Sequence, residues 1–285
     1  MAKQLLGKSV AAAVAEDMKP LVEKLRGQGI VPCLAIVRVG ERGDDIAYER
    51  SAMKRMDAWQ VAVKNVVLPE SVDQATLEET FRGVNEDETV HGILLFQPLP
   101  KHLDVEPLKQ MIHPLKDIDG VCPVNTSKVF AGDVTGVAPC TPEAVMEMLA
   151  RYDIDLTGKR VTLVGRSMIV GKPLAMLLLK KNATVTICHT RPKDLAARCR
   201  EAEVVIAAAG AAKMIDATMI SEDTIVVDVG INVDENGKLV GDVDYEAVEP
   251  LAAAITPVPG GVGGVTTSIL GKHVVEAAMA LHHMK

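Results

Sequence analysis

The chain has 285 residues, 48% of them hydrophobic and 24% charged, with a formal net charge of -7. That length and composition can bury a large core in two domains and exclude a disordered chain. The acidic balance, with no basic stripe carrying interleaved aromatics, excludes general nucleic-acid binding, and no apolar run reaches the roughly 18 to 20 residues that span a bilayer.

Lys3, Lys8, Glu16 and Asp17, spread across an alanine-rich amphipathic pattern, predict a first helix and not a signal peptide. Strand-like and helical segments then alternate: strand 34–39, helix 47–59, strand 61–68, helix 74–84 and strand 92–96. Such alternation predicts a parallel α/β layer. Residues 97–140 have no clear period and carry prolines at 98, 100, 107, 114, 123 and 139, which reads as one long functional loop. Thr141, Pro142 and Glu143 supply an N-cap, a proline at the first helical position and an early acid, opening a helix through Ala150. Five cysteines, at positions 33, 122, 140, 188 and 199, form no C-x-x-C pair. An odd count without that spacing predicts neither a disulfide framework nor a zinc site, and suits a reducing cytoplasm.

Residues 161–181, VTLVGRSMIVGKPLAMLLLKK, read as a buried strand, a glycine turn and a helix. Gly165 and Gly171 allow positive φ and close backbone approach, so that amides at the helix start can face a pyrophosphate. The spacing is G-x-S-x-x-x-G and not G-x-G-x-x-G, so the turn alone also fits a plain βα connection. The next strand, 184–188, ends in His189, Thr190 and Arg191, where a βαβ unit places its ribose-reading residue. No carboxylate stands there. Arg, His and Thr, with Arg166 in the turn, supply the donors and positive charge that suit a 2'-phosphate, which favours NADP over NAD. A surface arginine beside a capping threonine is the competing reading of that segment.

Strands 204–207 and 225–229 continue this second domain. The loop ITPVPGGVGGVTTS (255–268) follows, and a final helix 267–283 is expected to pack back on the first domain, placing the loop at a cleft between the two. With one Trp, three Tyr and three Phe in the chain, Tyr48 and Trp59 stand out as candidate stacking surfaces.

Four segments coincide in order and spacing: the Tyr48 helix start, GILLFQPLPKH (92–102), KDIDG (116–120), and VGRSMIVGKP with VVDVGIN and TPVPGGVGG behind it. Together they resemble the methylenetetrahydrofolate dehydrogenase/cyclohydrolase (FolD) family over essentially the whole chain. The resemblance implies an α/β fold with an N-terminal folate-binding catalytic domain (1–135, with helix 267–285 packing back on it), a Rossmann-like NADP-binding domain (136–266), and a cleft between them. It implies oxidation of 5,10-methylenetetrahydrofolate by NADP and hydrolysis of the methenyl product to 10-formyltetrahydrofolate, by a cytoplasmic homodimer whose partners are tetrahydrofolate derivatives. No metal, membrane or nucleic acid is implied. By the same resemblance Asp119 holds the pterin, and Tyr48 lies against the folate rings. Pro259, Gly260 and Gly261 contribute to the substrate site, while Gly165, Arg166, Ser167, His189, Thr190, Arg191 and Ile231 line the cofactor.

Two departures bear on the hydrolase. The family pattern has Tyr, a catalytic Lys four residues on and a second Lys at plus six; here plus four is Ala52 and plus six is Lys54. Six residues of helix turn about 600°, or roughly 240° past the Tyr direction. Lys54 serves as the catalytic amine only if the helix register shifts; otherwise it points elsewhere. The family's Gln falls at the place of Phe96, with Gln97 one residue later, and a one-residue slip on a strand turns a side chain to the opposite face. Gln97 remains a catalytic candidate if the strand ends before it. Gly264 and Val265 replace a common Pro and Met. Competing readings are another two-domain NADP dehydrogenase, such as one acting on a shikimate-like acid, and a nucleotide-sensing binding protein.

Overall fold

The computed structural model describes residues 2–189 and 194–284. In chain order the elements are β1 (Lys3–Gln4), α1 (Gly7–Gly27), β2 (Cys33–Val39), α2 (Gly43–Ala58), β3 (Ala62–Leu68), α3 (Gln74–Glu86) and β4 (Gly92–Leu95). Then come α4 (Glu106–Met111), α5 (Pro123–Ala131), α6 (Cys140–Arg151), β5 (Arg160–Val164), α7 (Gly171–Lys180), β6 (Thr184–Cys188) and α8 (Leu195–Arg200). Strand β7 (Val204–Ala207), a 3-10 turn (Ala217–Met219), strands β8 (Ile225–Asp228), β9 (Asn232–Val233) and β10 (Leu239–Val240), helix α9 (Tyr245–Val248), strand β11 (Ala254–Ile255) and helix α10 (Gly263–Leu281) complete the order.

The chain divides into two compact units. One comprises Ala13–Cys140 with Thr267–Lys285, the other Met1–Ala12 with Thr141–Thr266. The expected boundary at 135/136 therefore moves to 140/141. The first twelve residues also belong with the second unit, because β1 pairs in parallel with β11 and the Tyr152 hydroxyl both accepts from Leu6 N and donates to Leu6 O. Two-residue strands carry almost no local signal, so the helix expected at the N-terminus hid β1; the helix itself starts at Gly7.

The first unit is built on a three-stranded parallel sheet ordered β3-β2-β4. Strand β2 is buried at all seven positions, as a parallel strand covered on both faces must be, and its Val37 joins Leu77, Phe81, Ile93 and Leu108 in the core. Arg38 is the charged exception: its Nε donates to Glu49 on α2 at 2.8 Å, and Glu49 accepts from Asn65 on β3. That buried pair ties α2 to the sheet. The segment expected as one long loop contains α4 and α5, each with Pro in its first turn, at 107 and 123. Prolines that break a helix interior are tolerated at such starts, so the same residues that suggested a loop begin these helices.

The second unit has a six-stranded parallel sheet ordered β1-β11-β8-β7-β5-β6, with Val164, Val205, Ala207, Val226 and Ile255 in its core. From β5 the chain moves outward to β6 and then returns to the other side as β7. The order thus reverses between β5 and β7, the place where open α/β sheets leave a crevice at the carboxyl ends of their strands. Among the described residues no helix is long and apolar enough to cross a membrane.

Candidate active site

Helix α2 presents Tyr48 and, one turn on, Ala52 along one face; Ala52 is completely buried and Tyr48 half-buried. The helix runs unbroken through this stretch, and Lys54 lies exposed. Strand β4 ends at Leu95, and Phe96, the next residue, is buried with its ring centroid 5.7 Å from that of Tyr48. Gln97 follows beyond the strand end, half-buried, in cis linkage to Pro98. Burial raises the Tyr48 hydroxyl far above its ordinary value, and nearby Cys140 and Asp119 push the same way. It stays a neutral phenol across the physiological range.

Asp119 reaches this site because KDIDG runs beside β4: Ile93 N donates to Lys116 O, and Asp117 bridges Ile93. The two aspartates of the motif differ in duty. Asp117 is fully buried and accepts from Val121 N, Cys122 N and Asn125, bracing the turn, whereas the Asp119 carboxylate takes the Cys140 amide at 2.9 Å. Gly120 sits at φ +60 and a Cβ there would lie 2.5 Å from Val137 O, so the turn after Asp119 requires glycine. Burial raises the Asp119 carboxyl above the usual range, against the Cys140 hydrogen bonds that lower it. Beneath it, His273 of α10 is buried with Nδ1 donating to Ile118 O at 2.7 Å, and Cys140 Sγ donates to the same carbonyl. Neither side chain stood out in the sequence, since a histidine in a C-terminal helix and a cysteine at a helix start carry no motif.

In the second unit, the turn between β5 and α7 exposes residues 166–169 and buries both glycines. A Cβ on Gly165, at φ +146, would lie 2.2 Å from Ala208 O, and one on Gly171 would lie 2.3 Å from Gly165 O. Ser167 Oγ accepts from the amides of Val170 and, at 3.4 Å, Gly171, so two amides expected to face a phosphate are held by the turn's own serine. A glycine-built, surface-open turn at the start of a ten-residue helix fits a dinucleotide's diphosphate.

Two family models match in sequence, one after the other: residues 5–119 the tetrahydrofolate dehydrogenase/cyclohydrolase catalytic domain, and 139–282 its NAD(P)-binding domain, the latter running on through α10 of the three-stranded unit. A bifunctional protein FolD of Clostridioides difficile is 51% identical over 271 residues, covering 95% of this chain and 94% of the relative. The chain belongs to the tetrahydrofolate dehydrogenase/cyclohydrolase family. The crystal structure of the Campylobacter jejuni FolD dehydrogenase/cyclohydrolase superposes with a TM-score of 0.96 at 39% identity, covering 98% of this chain and 99% of that one. The Trypanosoma brucei enzyme, solved with NADP cofactor and an inhibitor, gives 0.92 at 36% identity, covering 98% of each chain.

Within this family frame, Tyr48, Phe96, Asp119, Cys140 and His273 come together in one unit. Gly165, Arg166, Ser167 and His189, the last at the carboxyl end of β6, lie on one edge of the other. Thr190 and Arg191 fall outside the described residues. Ile231 is 65% exposed on the segment after β8, within 3.8 Å of where a Gly263 Cβ would stand. Pro259 and Gly260 are exposed; Gly261 is buried against Thr256 and Pro257. Trp59 is no stacking surface: its ring packs on Gly271, where a Cβ would lie 2.9 Å away.

Proposed function

We propose that this chain oxidises 5,10-methylenetetrahydrofolate with NADP and hydrolyses the methenyl product to 10-formyltetrahydrofolate. The observation that carries the reading is the match of both family domains in order along the chain, the first over Tyr48 and Asp119 and the second over the glycine turn. NADP, when bound, accepts a hydride from the folate methylene carbon. Asp119 holds the pterin through paired hydrogen bonds to its amino-pyrimidinone edge, and Tyr48 lies against the folate rings. Gly165 and Ser167 shape the seat of the diphosphate, and Arg166 with His189, Thr190 and Arg191 selects the 2'-phosphate. Pro259, Gly260 and Gly261 shape a loop toward the substrate, and Ile231 faces the nicotinamide. The oxidation needs alignment above all, because the two folate nitrogens flanking the bridge carbon stabilise the cation that forms.

Hydrolysis asks more of the protein, since protons must move at water and at a nitrogen leaving group. A second reading, a dehydrogenase with slow hydrolysis, is favoured by one observation: the face of α2 that carries Tyr48 holds a buried Ala52, while Lys54 is exposed and Phe96 occupies the space beside the Tyr48 ring. Gln97 and Lys54 are the groups that the family resemblance leaves for the proton transfers. The test is to supply methylenetetrahydrofolate with NADP or NAD and follow methenyl absorbance. The main reading expects formation with NADP preferred and decay faster than the spontaneous rate; formation with decay at the spontaneous rate selects the second, and no formation rejects both. Assembly as a cytoplasmic homodimer follows from the family resemblance, and sedimentation at twice the chain mass is the expected result.

A further inference from the structure

The loops that wall the crevice at the reversal of strand order are Gly165–Val170 after β5 and Ala208–Ala211 after β7. The first is a glycine turn; the second is shaped by one buried side chain far along the sequence. Asp242, with no exposed surface, accepts from three consecutive amides of that loop: Ala209 at 2.6 Å and Gly210 at 2.9 Å on Oδ2, and Ala211 at 2.8 Å on Oδ1. Oδ1 also accepts from Asn232 Nδ2 at 2.9 Å, in the segment after β8. A carboxylate, with four lone-pair sites and no proton, is the one side chain that satisfies such a set of donors from a single planar group.

Asp242 is itself held. Its amide donates to Asp228 Oδ1 at 3.0 Å, and Asp228 also takes Gly230 N and Val243 N. Two glycines make room for these carboxylates: a Cβ on Gly241 would lie 1.8 Å from Asp228 Oδ2, and one on Gly230 would lie 2.3 Å from Asp242 Oδ1. The loop that Asp242 holds touches the opposite wall, since Ala208 O stands where a side chain on Gly165 would begin.

We propose that Asp242 is a positioning residue for the dinucleotide, fixing the 209–211 loop and the 230–232 segment so that the crevice between β5 and β7 keeps the width the cofactor needs. The inference rests on the NADP reading of this unit. Asp242 touches neither the cofactor nor the folate; it acts through the backbone it organises.

Asp242→Asn keeps the shape and replaces one doubly used acceptor by an NH2 group facing amide donors. NADPH fluorescence titration of the purified full chain should show the dissociation constant rising about tenfold or more, the scale of lost hydrogen bonds to a charged group, with KM for methylenetetrahydrofolate within about twofold of wild type. Asn232→Ala, which removes one donor and leaves the three amides in place, should raise the NADPH dissociation constant by about threefold and keep the protein folded should Asp242→Asn fail to fold. Unchanged NADPH affinity in Asn232→Ala, or in a folded Asp242→Asn, overturns the proposal. So does a parallel loss of NADPH and folate affinity, which marks a merely structural role. A wild-type protein that binds no NADPH overturns the cofactor reading itself and the inference with it.

Discussion

The two units present their sites by different means. In the six-stranded unit the glycine turn proposed for the cofactor is made of backbone: at Gly165 and Gly171 a Cβ would collide with Ala208 O or Gly165 O. In the three-stranded unit the candidate site is made of side chains on a helix, a strand end and a turn, where Ala52 and Phe96 stand at the positions to which the family resemblance assigns Lys and Gln. A backbone-built site constrains sequence tightly. A side-chain-built site can change its chemistry one residue at a time.

The largest effect should come from the carboxylate of the side-chain site. Asp119→Ala removes a carboxylate expected to take two hydrogen bonds from the pterin, and kcat/KM for oxidation and hydrolysis should fall together by about 10²- to 10⁴-fold. Folate affinity equal to wild type in that variant would show that Asp119 does not hold the substrate. The contrast sharpens at Ala52. Ala52→Lys restores an amine on the Tyr48 face and should speed methenyl hydrolysis by about tenfold to a hundredfold, at some loss of thermal stability because the position is buried. Lys54→Ala should leave hydride transfer largely intact. If Lys54→Ala instead abolishes hydrolysis, the exposed lysine serves after all.

On the cofactor side, Arg166→Ala should weaken NADP by about tenfold and NAD little, because it removes charge and donors from an exposed turn without altering its glycine frame. Equal loss for both cofactors breaks the assignment of Arg166 to the 2'-phosphate. The last effect is on stability and not on activity, and concerns pH. Burial and the neighbouring Asp242 raise the Asp228 carboxyl from 3.8 to about 6 against three amide donors. A carboxyl whose folded value lies above its unfolded one binds its proton more tightly in the native state. Its contribution is complete below about pH 4 and is lost as pH rises through about 6, on the order of 3 kcal/mol in all. Urea unfolding from about pH 4.5 to about pH 7.5 should show that fall in wild type and a flatter profile in Asp228→Asn.

Much of the fold was legible because it rests on local rules. The apolar run at β2, the 3.6-residue period of α3, and the strand–glycine–helix order at 160–180 announce themselves from neighbours in sequence. So does the inference that Lys54 leaves the Tyr48 face of a regular helix. What tertiary structure alone decided involves partners far apart in the chain. The two-residue β1 is a strand only because β11 lies beside it, and α4 and α5 hid in a proline-rich stretch because proline opens helices as readily as it ends them. The burial of His273 beneath Asp119, the Arg38–Glu49 tie and the hold of Asp242 on amides some thirty residues earlier have no periodic or motif signature. Hydrogen bonds of this kind depend on where the backbone brings donor and acceptor, and spacing along the chain does not carry that information.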